Sequence, residues 1–180
     1  MRLIYLAFFL GVIIALAMSG CLSGDGDKST TPITTYLGAY EISFNLTSKY
    51  DYDLSRPNQL HDITGSPYWP DQKSETRTIM DKLPNLRKFD VTIIEYHLPQ
   101  AHTMEALDDE LWGGQKGTAT WTTYKSDSEF QHTYRVLDKV SLSAACWLDE
   151  TTMLKIYALE FDREDFINTL KSLRTRKFQS

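Results

Sequence analysis

The histidines are the residues most able to ligate a metal, and they are scattered along the chain. They stand at positions 61, 97, 102 and 132. A zinc site needs three or four converging ligands, which local motifs usually bring together. His97 and His102 are five residues apart with Pro99 between them, so the two rings cannot share one face of a helix. This spacing predicts strand and loop histidines, with no metal and no cofactor, although His61 and His132 could still converge with them in space.

Acidic side chains are concentrated in one short segment, which contains Glu105, Asp108, Asp109 and Glu110. Calcium takes about six to eight oxygen ligands, often from a tightly spaced loop that contains glycine, whereas this segment has the spacing of a helix. It therefore predicts a solvated acidic face. The sequence also lacks the nucleophile elbow and the glycine-rich phosphate loops of common enzyme classes. No catalytic residue is predicted, and an enzyme is less expected than a binding protein.

Aromatic residues are the remaining signal for a ligand site. Tyr52, Tyr68 and Trp69 lie in residues 49–70, a segment rich in Asp, Pro and Asn that predicts a long loop. Loops on a rigid scaffold often carry binding sites, so these three residues are predicted to line a ligand groove. The alternative is that they, and tryptophans such as Trp147, pack in the core or at its rim, because aromatic rings bury large areas.

The first 20 residues form an apolar leader. Arg2 precedes an uncharged stretch that continues to Asp25, and the small residues Ser19 and Gly20 stand just before Cys21. A basic start, an apolar middle and small residues at the cleavage point are the three parts of a secretory signal peptide. The apolar stretch is short for a membrane-spanning helix, which needs about 20 apolar residues, but an uncleaved anchor over residues 3–22 is the alternative.

The segment Ala17-Met18-Ser19-Gly20-Cys21 resembles the lipobox of prokaryotic lipoproteins, with Met18 where leucine is commonest. The resemblance implies that a peptidase cuts before Cys21 and that the Cys21 thiol carries a lipid. Two hydrocarbon chains suffice for stable anchoring, since each buried methylene contributes about 0.8 kcal/mol. The protein would then lie on the outer, extracytoplasmic face of the cell membrane, with the membrane itself as a partner.

Two further residues are candidates for modification or thiol chemistry. Asn45-Leu46-Thr47 is an N-glycosylation sequon on the polar face of a predicted strand, so Asn45 is a candidate glycosylation site. If Cys21 is lipidated, Cys146 has no disulfide partner. Cys146 lies in an alternating apolar strand pattern, which predicts that it is a small buried hydrophobe.

Length and charge limit the class of protein. The chain has 180 residues and a net charge of −5, and 42% of its residues are hydrophobic. Arg2 is the only charged residue of the leader, so the body is more acidic than the whole chain. This argues against a nucleic-acid partner, which favours a basic surface. Residues 21–35, rich in Gly, Ser, Thr and Asp, predict a flexible tether, and residues 36–178 predict a single domain.

The body contains both strand and helix patterns. Strands are predicted at residues 40–46, 89–98, 117–125, 132–137, 140–148 and 151–161, and residues 74–83 fit a strand or a short helix. Helical spacing predicts a short connecting helix at 103–112 and a C-terminal amphipathic helix at 163–174, with Asp162 as its N-cap. The prediction is an α+β fold. It comprises an antiparallel sheet of about five to seven strands with a late meander, and the C-terminal helix packs on one face.

The order of these elements resembles PsbP-like extracytoplasmic domains, based on residues 40–46 and 153–174. Cys21, the threonine-rich tether and the segment GTATWTTYKSD at residues 117–127 also resemble small lipid-anchored proteins of methanogenic archaea that lack an assigned activity. Together these features predict a membrane-anchored lipoprotein of the cell envelope with a non-catalytic binding or interaction domain, whose partner is a membrane or envelope protein. The alternatives are an extracytoplasmic enzyme and a structural envelope protein with an uncleaved anchor.

Overall fold

The computed structural model describes residues 29–67, 70–82, 87–112, 120–125, 132–138 and 141–178. The predicted signal peptide, Cys21 and the first part of the predicted tether lie outside these residues. The described residues form eleven strands and two helices, so the mixed α+β class is confirmed. Neither of these helices has the length and apolar character that crossing a membrane requires.

Eight strands form one antiparallel sheet, here named the large sheet. Its strands are β3 (Tyr52–Asp53), β4 (Gln59–Ile63), β5 (Gln72–Asp81), β6 (Lys88–Tyr96), β7 (Thr120–Lys125), β8 (Thr133–Asp138), β9 (Ser141–Asp149) and β10 (Thr152–Leu159). Their order is β3-β5-β6-β10-β9-β8-β7, and β4 also pairs with β5. Strands β7 to β10 pair with their neighbours in sequence, which confirms the predicted late meander.

Three strands form the small sheet. They are β1 (Thr30–Leu37), β2 (Tyr40–Thr47) and β11 (Arg174–Lys177), in the order β1-β2-β11. β1 and β2 are joined by a two-residue turn whose first residue, Gly38, has a φ of 52°. A positive φ at this position favours glycine. A Cβ atom on Gly38 would lie 2.5 Å from Glu95 Oε1, which the flexible Glu95 side chain can avoid by moving, so it is the backbone conformation of the turn that favours glycine here.

The main core lies between the two sheets. Phe89, Val91 and Ile93 alternate along β6 and are all buried on the inner face of the large sheet. They belong to one apolar cluster with Ile42 and Phe44 of β2, and the ring centroids of Phe44 and Phe89 are 5.5 Å apart. The period-two patterns that predicted β2 and β6 therefore point both strands into the same core.

The C-terminal helix α2 (Arg163–Ser172) completes this core. Its predicted N-cap is confirmed, because the Asp162 side chain accepts hydrogen bonds from two backbone N–H groups of the first turn. Phe166 and Leu170 are buried, but the buried face also contains Asp165 and Thr169. The helix is therefore not clearly amphipathic, which corrects the sequence prediction. Thr169 can be buried because its hydroxyl donates to the Asp165 carbonyl oxygen at 3.0 Å.

The total of eleven strands corrects the predicted five to seven. Strand β1 begins at Thr30, six residues before the predicted boundary at Tyr36 and within the predicted tether. Strands β3 and β4 lie in the segment predicted as a loop, and β11 follows α2 almost directly. These four strands are short or polar, and pairing with β2 or β5 holds them in place. The hydrophobic pattern of a single strand does not reveal such pairing.

A polar clamp joins the two sheets. The Tyr40 hydroxyl of β2 and Lys177 Nζ of β11 both donate to Asp149 Oδ2 at the end of β9, each at 2.6 Å. Burial, together with the hydrogen bond to Asp149, raises the pKa of Tyr40 to about 12. Burial by itself would raise the pKa of Asp149, but the hydrogen bonds from Lys177 and Tyr40 outweigh it and lower that pKa far below its usual value.

Candidate functional site

The outer face of the large sheet is covered only in part. Helix α1 (Met104–Trp112) lies on it and buries Leu107 and Leu111 in a second apolar cluster with Ile94, Tyr96 and Met153. The predicted connecting helix at residues 103–112 is thereby confirmed. Beyond α1, none of the described residues covers the outer face over β5, β6 and β10.

Two ion pairs fix α1 to the sheet. Arg135 of β8 donates two hydrogen bonds to the Asp108 carboxylate, at 2.6 and 3.2 Å. Lys155 of β10 donates to Glu110 Oε1 at 2.7 Å and to the Glu110 carbonyl oxygen at 2.9 Å. The segment predicted as a solvated acidic face is therefore partly an interface. The sequence did not reveal this interface because Arg135 and Lys155 lie 27 and 45 residues along the chain from their acidic partners.

The open part of the outer face forms a groove of about 470 Å³, here named the outer groove. It is defined by Ser74, Thr76, Asp90, Thr92, Lys155 and Tyr157. These side chains share one face because they occupy alternate positions along their strands. The outer groove is lined mainly by polar side chains. It lies on the face of a sheet, whereas the sequence predicts a ligand groove on a loop.

Hydrogen bonds and an ion pair order the floor of the outer groove. The hydroxyl oxygens of Thr76 and Thr92 are 2.9 Å apart. Thr78 Oγ1 donates to Asp90 Oδ1 at 2.7 Å, and Lys88 Nζ lies 2.6 Å from Asp90 Oδ2. The floor is therefore a fixed array of polar groups, whose orientation is set before any ligand arrives.

A smaller cavity of about 200 Å³ adjoins the outer groove beside α1, and it is here named the Trp147 cavity. It is defined by Gln72, Tyr96, Glu110, Trp147 and Met153, and Gln72 and Glu110 also line the outer groove. The two spaces are thus continuous along β5 and α1.

The ring of Trp147 is held by two neighbouring rings. His102 stacks on it with centroids 4.6 Å apart and an angle of 14° between the planes. Tyr96 packs against it in a tilted arrangement at 5.8 Å. Burial, and then the charge of Glu110, raises the pKa of the Tyr96 phenol above its usual value. The cavity therefore has an aromatic wall whose rings pack against one another.

Two residues that line this cavity each have a buried polar side-chain atom with no hydrogen-bond partner among the described residues. The two atoms are Gln72 Oε1, an acceptor, and Trp147 Nε1, a donor. Gln72 is only 8% exposed. A buried polar atom without a partner costs about 1–3 kcal/mol, and most native structures contain few of them. Both atoms have almost no solvent-accessible surface, so they lower the stability of the fold and are not groups that a molecule in the cavity can reach.

The structure buries one of the three residues that were predicted to line a ligand groove. Tyr52 belongs to β3 and is buried in the main core, where its ring makes an edge contact with Tyr50. Its side chain faces the core because the pairing of β3 with β5 places it on the inner face of the large sheet. Tyr68 and Trp69, the other two predicted residues, lie outside the described residues.

The candidate modification sites have separate locations. Asn45 is exposed on β2, with its sequon in the small sheet, and it remains a prediction as a glycosylation site. Cys146 is completely buried in β9, which confirms the predicted small core residue. Burial raises the pKa of the Cys146 thiol far above its usual value. Cys21, the predicted lipidation site, lies outside the described residues.

The histidines do not form a metal site in the described part of the chain, where no group of three or more metal-ligating side chains converges. His132 bonds to Thr175 Oγ1 at 3.0 Å, and His102 stacks on Trp147. Burial lowers the pKa of His132. Both rings therefore contact other side chains of the domain.

The residues that the sequence analysis missed are Gln72 and the polar row along β5 and β6. A glutamine at the start of an ambiguous segment gives no signal by itself. A strand with one polar face is indicated by Ser74, Thr76 and Thr78, which alternate with apolar or charged residues. This alternation is the sequence signal for the outer groove. Compared with protein families, with curated proteins and with solved structures, the chain matches none.

Proposed function

We propose that this chain is a membrane-anchored extracytoplasmic lipoprotein whose domain binds a ligand in the outer groove. The observation that carries the binding role is the contrast between the two faces of the large sheet. The inner face packs on the small sheet and α2, whereas the outer face has a polar groove that no described residue fills, beside a cavity lined by Tyr96 and Trp147. A concave site with a few converging polar groups and an aromatic wall is typical of ligand binding.

The charged groups of the outer groove favour binding over catalysis. Asp90 is engaged by Thr78 and Lys88, and Glu110 is engaged by Lys155. Groups held in this way orient a ligand through fixed hydrogen bonds. A general acid or base needs instead a free proton-transfer atom and a pKa tuned to its task.

The anchoring role is based on the leader and on Cys21. The residues between Cys21 and strand β1 would link the domain to a lipid on Cys21 and keep it near the membrane surface. A ligand or partner in the cell envelope is consistent with that position.

Replacing each cysteine in turn tests the anchor. We expect wild-type protein to enter the detergent phase in a phase-separation experiment, and Cys21→Ala to stay in the aqueous phase or to keep an uncleaved leader. Cys146→Ala is the matched control, because Cys146 lies in the core and its variant should still carry the lipid. A Cys21→Ala protein that is cleaved and still enters the detergent phase would contradict the lipid anchor.

A further inference from the structure

We propose that the outer face of the small sheet lies on the membrane surface, where it contacts the phosphate groups of anionic lipids. This inference rests on the proposed membrane anchor, and it adds which surface of the domain faces the bilayer. It follows from the exposure of this face, from its charges and from its connection to the anchor. The outer groove is on the opposite side of the domain, so it would point away from the membrane.

The outer face of the small sheet is here named the small-sheet face. Its residues alternate along β2 and β11 with the buried residues Ile42, Phe44 and Thr175, so they point away from the core. The face is defined by Tyr36, Glu41, Ser43, Arg174, Arg176 and Phe178. Tyr36 and Phe178 are 57% and 41% exposed, and the Arg176 side chain is 71% exposed. No described residue therefore covers this part of the face.

Positive charge is concentrated on and beside the small-sheet face. Residues 171–177 include four basic residues and no acidic one, although the whole chain has a net charge of −5. Glu41 is the acidic residue of the face, and it accepts a hydrogen bond from Arg176 at 2.8 Å. Arg174 is exposed and donates to two backbone carbonyl oxygens at the end of α2, each at 3.0 Å. The face therefore has more positive than negative charge to offer an anionic partner.

Two exposed aromatic rings lie beside these arginines. The rings of Tyr36 and Phe178 stack with centroids 5.7 Å apart and an angle of 22° between the planes. Tyr36 and Arg176 are both aligned with Glu41, from opposite sides of β2. Aromatic and basic side chains together are typical of surfaces at the membrane–water interface, where rings lie at the level of the head groups. Arginine also matches the geometry of phosphate oxygens.

The connection to the anchor favours the membrane over an acidic protein as the partner. Strand β1 belongs to the small sheet, and its first residue, Thr30, is nine residues after Cys21. Nine residues span at most about 30 Å, so a lipid on Cys21 or an uncleaved leader would hold the small sheet close to the bilayer. This tether raises the effective concentration of lipid head groups at the face. Each basic residue near an anionic membrane surface then strengthens the contact about fivefold.

The opposite side of the domain has no such excess of positive charge among its described residues. Lys88 and Lys155 of the outer groove are paired with Asp90 and Glu110, at 2.6 and 2.7 Å. An anionic bilayer therefore attracts the small-sheet face more strongly than the outer groove.

The test measures which surface of the membrane-bound protein faces the lipids. Full-length protein labelled with ¹⁵N and ²H is reconstituted in nanodiscs of phosphatidylcholine and phosphatidylglycerol at about 3:1, and a few lipids carry a gadolinium chelate on the head group. The amides of Thr34 and Ser43 report on the small sheet, and those of Thr76 and Thr92 report on the outer groove. The chelate accelerates relaxation with the inverse sixth power of distance, and packed sheets lie about 10 Å apart, so we expect at least about threefold faster paramagnetic relaxation at the small-sheet amides.

Two matched double variants test the role of charge. Arg174→Gln with Arg176→Gln removes two positive charges from the face and weakens the contact by more than about tenfold, so the ratio of the two relaxation rates should fall to about one. Lys73→Gln with Lys82→Gln removes two positive charges from exposed positions in β5 and just after it, and it should keep the wild-type ratio. Wild-type protein in nanodiscs of phosphatidylcholine alone should show a lower ratio, because the anionic head groups are then missing.

The remaining outcomes separate this inference from the proposed function. If the protein stays in the nanodiscs but the outer-groove amides relax as fast as the small-sheet amides, the assignment of the membrane-facing surface is overturned and the anchor stands. The same conclusion follows if the arginine double variant keeps the wild-type ratio. If the protein leaves the nanodiscs, both the anchor and the membrane contact are contradicted.

Discussion

Replacing Gln72 with methionine is expected to stabilise the ligand-free protein, although it removes a side-chain amide. Gln72 is 8% exposed and its Oε1 atom has no partner among the described residues. Leaving such an acceptor unpaired costs about 1–3 kcal/mol. Methionine has a similar volume and flexibility, so the repacking cost stays below about 1.5 kcal/mol. We expect a net gain of about 1–2 kcal/mol in the free energy of unfolding.

Thermal unfolding followed by circular dichroism measures this gain. For a domain of about 150 residues, each kcal/mol shifts Tm by about 2–4 °C, so Gln72→Met should raise Tm by about 2–8 °C. Gln59→Met is the matched control, because Gln59 is exposed on β4 at the margin of the outer groove and its variant should change Tm little. A Tm for Gln72→Met that falls below that of Gln59→Met would refute the claim that the buried amide oxygen is unpaired.

Three further perturbations test the fold. Gly38→Ala should cost about 1–3 kcal/mol in urea unfolding, because Gly38 has a φ of 52° and its added Cβ would meet Glu95; an unchanged midpoint would show that the turn relaxes freely. Leu170→Asp should cost at least about 3–5 kcal/mol, because it places a carboxylate at a fully buried position, and unchanged melting would show that α2 does not pack. Raising the pH from about 10 to about 12 should lower the free energy of unfolding. The folded state keeps the proton of Tyr40, whose pKa is about 12, whereas the unfolded chain releases it near pH 10. Tyr40→Phe should weaken this pH dependence, and an equally steep loss in that variant would exclude Tyr40 as a source.

The elements that sequence predicts correctly are those whose own side chains reach a core. Tyr40, Ile42 and Phe44 occupy every second position of β2, which is the period of a strand. Phe166 and Leu170 are four positions apart on α2, which is the spacing of one helical face. Strand β4 has five residues, none of them buried. It exists because its backbone pairs with β5, and such pairing leaves no hydrophobic pattern in the sequence.

Strand β1 could not be predicted for a related reason. The sequence of β1 is TTPITTYL, and its composition is that of a tether. Only Ile33, Thr35 and Leu37 face the core, and one of these three is polar. Pro32 is tolerated because β1 is an edge strand of the small sheet.

The sequence identifies some residues of the candidate site, but not how they are arranged in space. Trp147 was among the aromatic residues considered, but Gln72 and Glu110 come from β5 and α1, which are distant in sequence. Their convergence depends on the pairing of β6 with β10, which brings residues near position 90 beside residues near position 155. Local spacing contains no information about that contact, so the site emerges only from the topology.

The most direct test of the proposed role is the intact mass of the protein purified from the membranes of its source. We expect a polypeptide that begins at Cys21 and carries the added mass of a lipid with two hydrocarbon chains, located on Cys21 by fragmentation. A protein that retains Met1 and the whole leader, or one that begins at Cys21 with a free thiol, would contradict the lipid anchor.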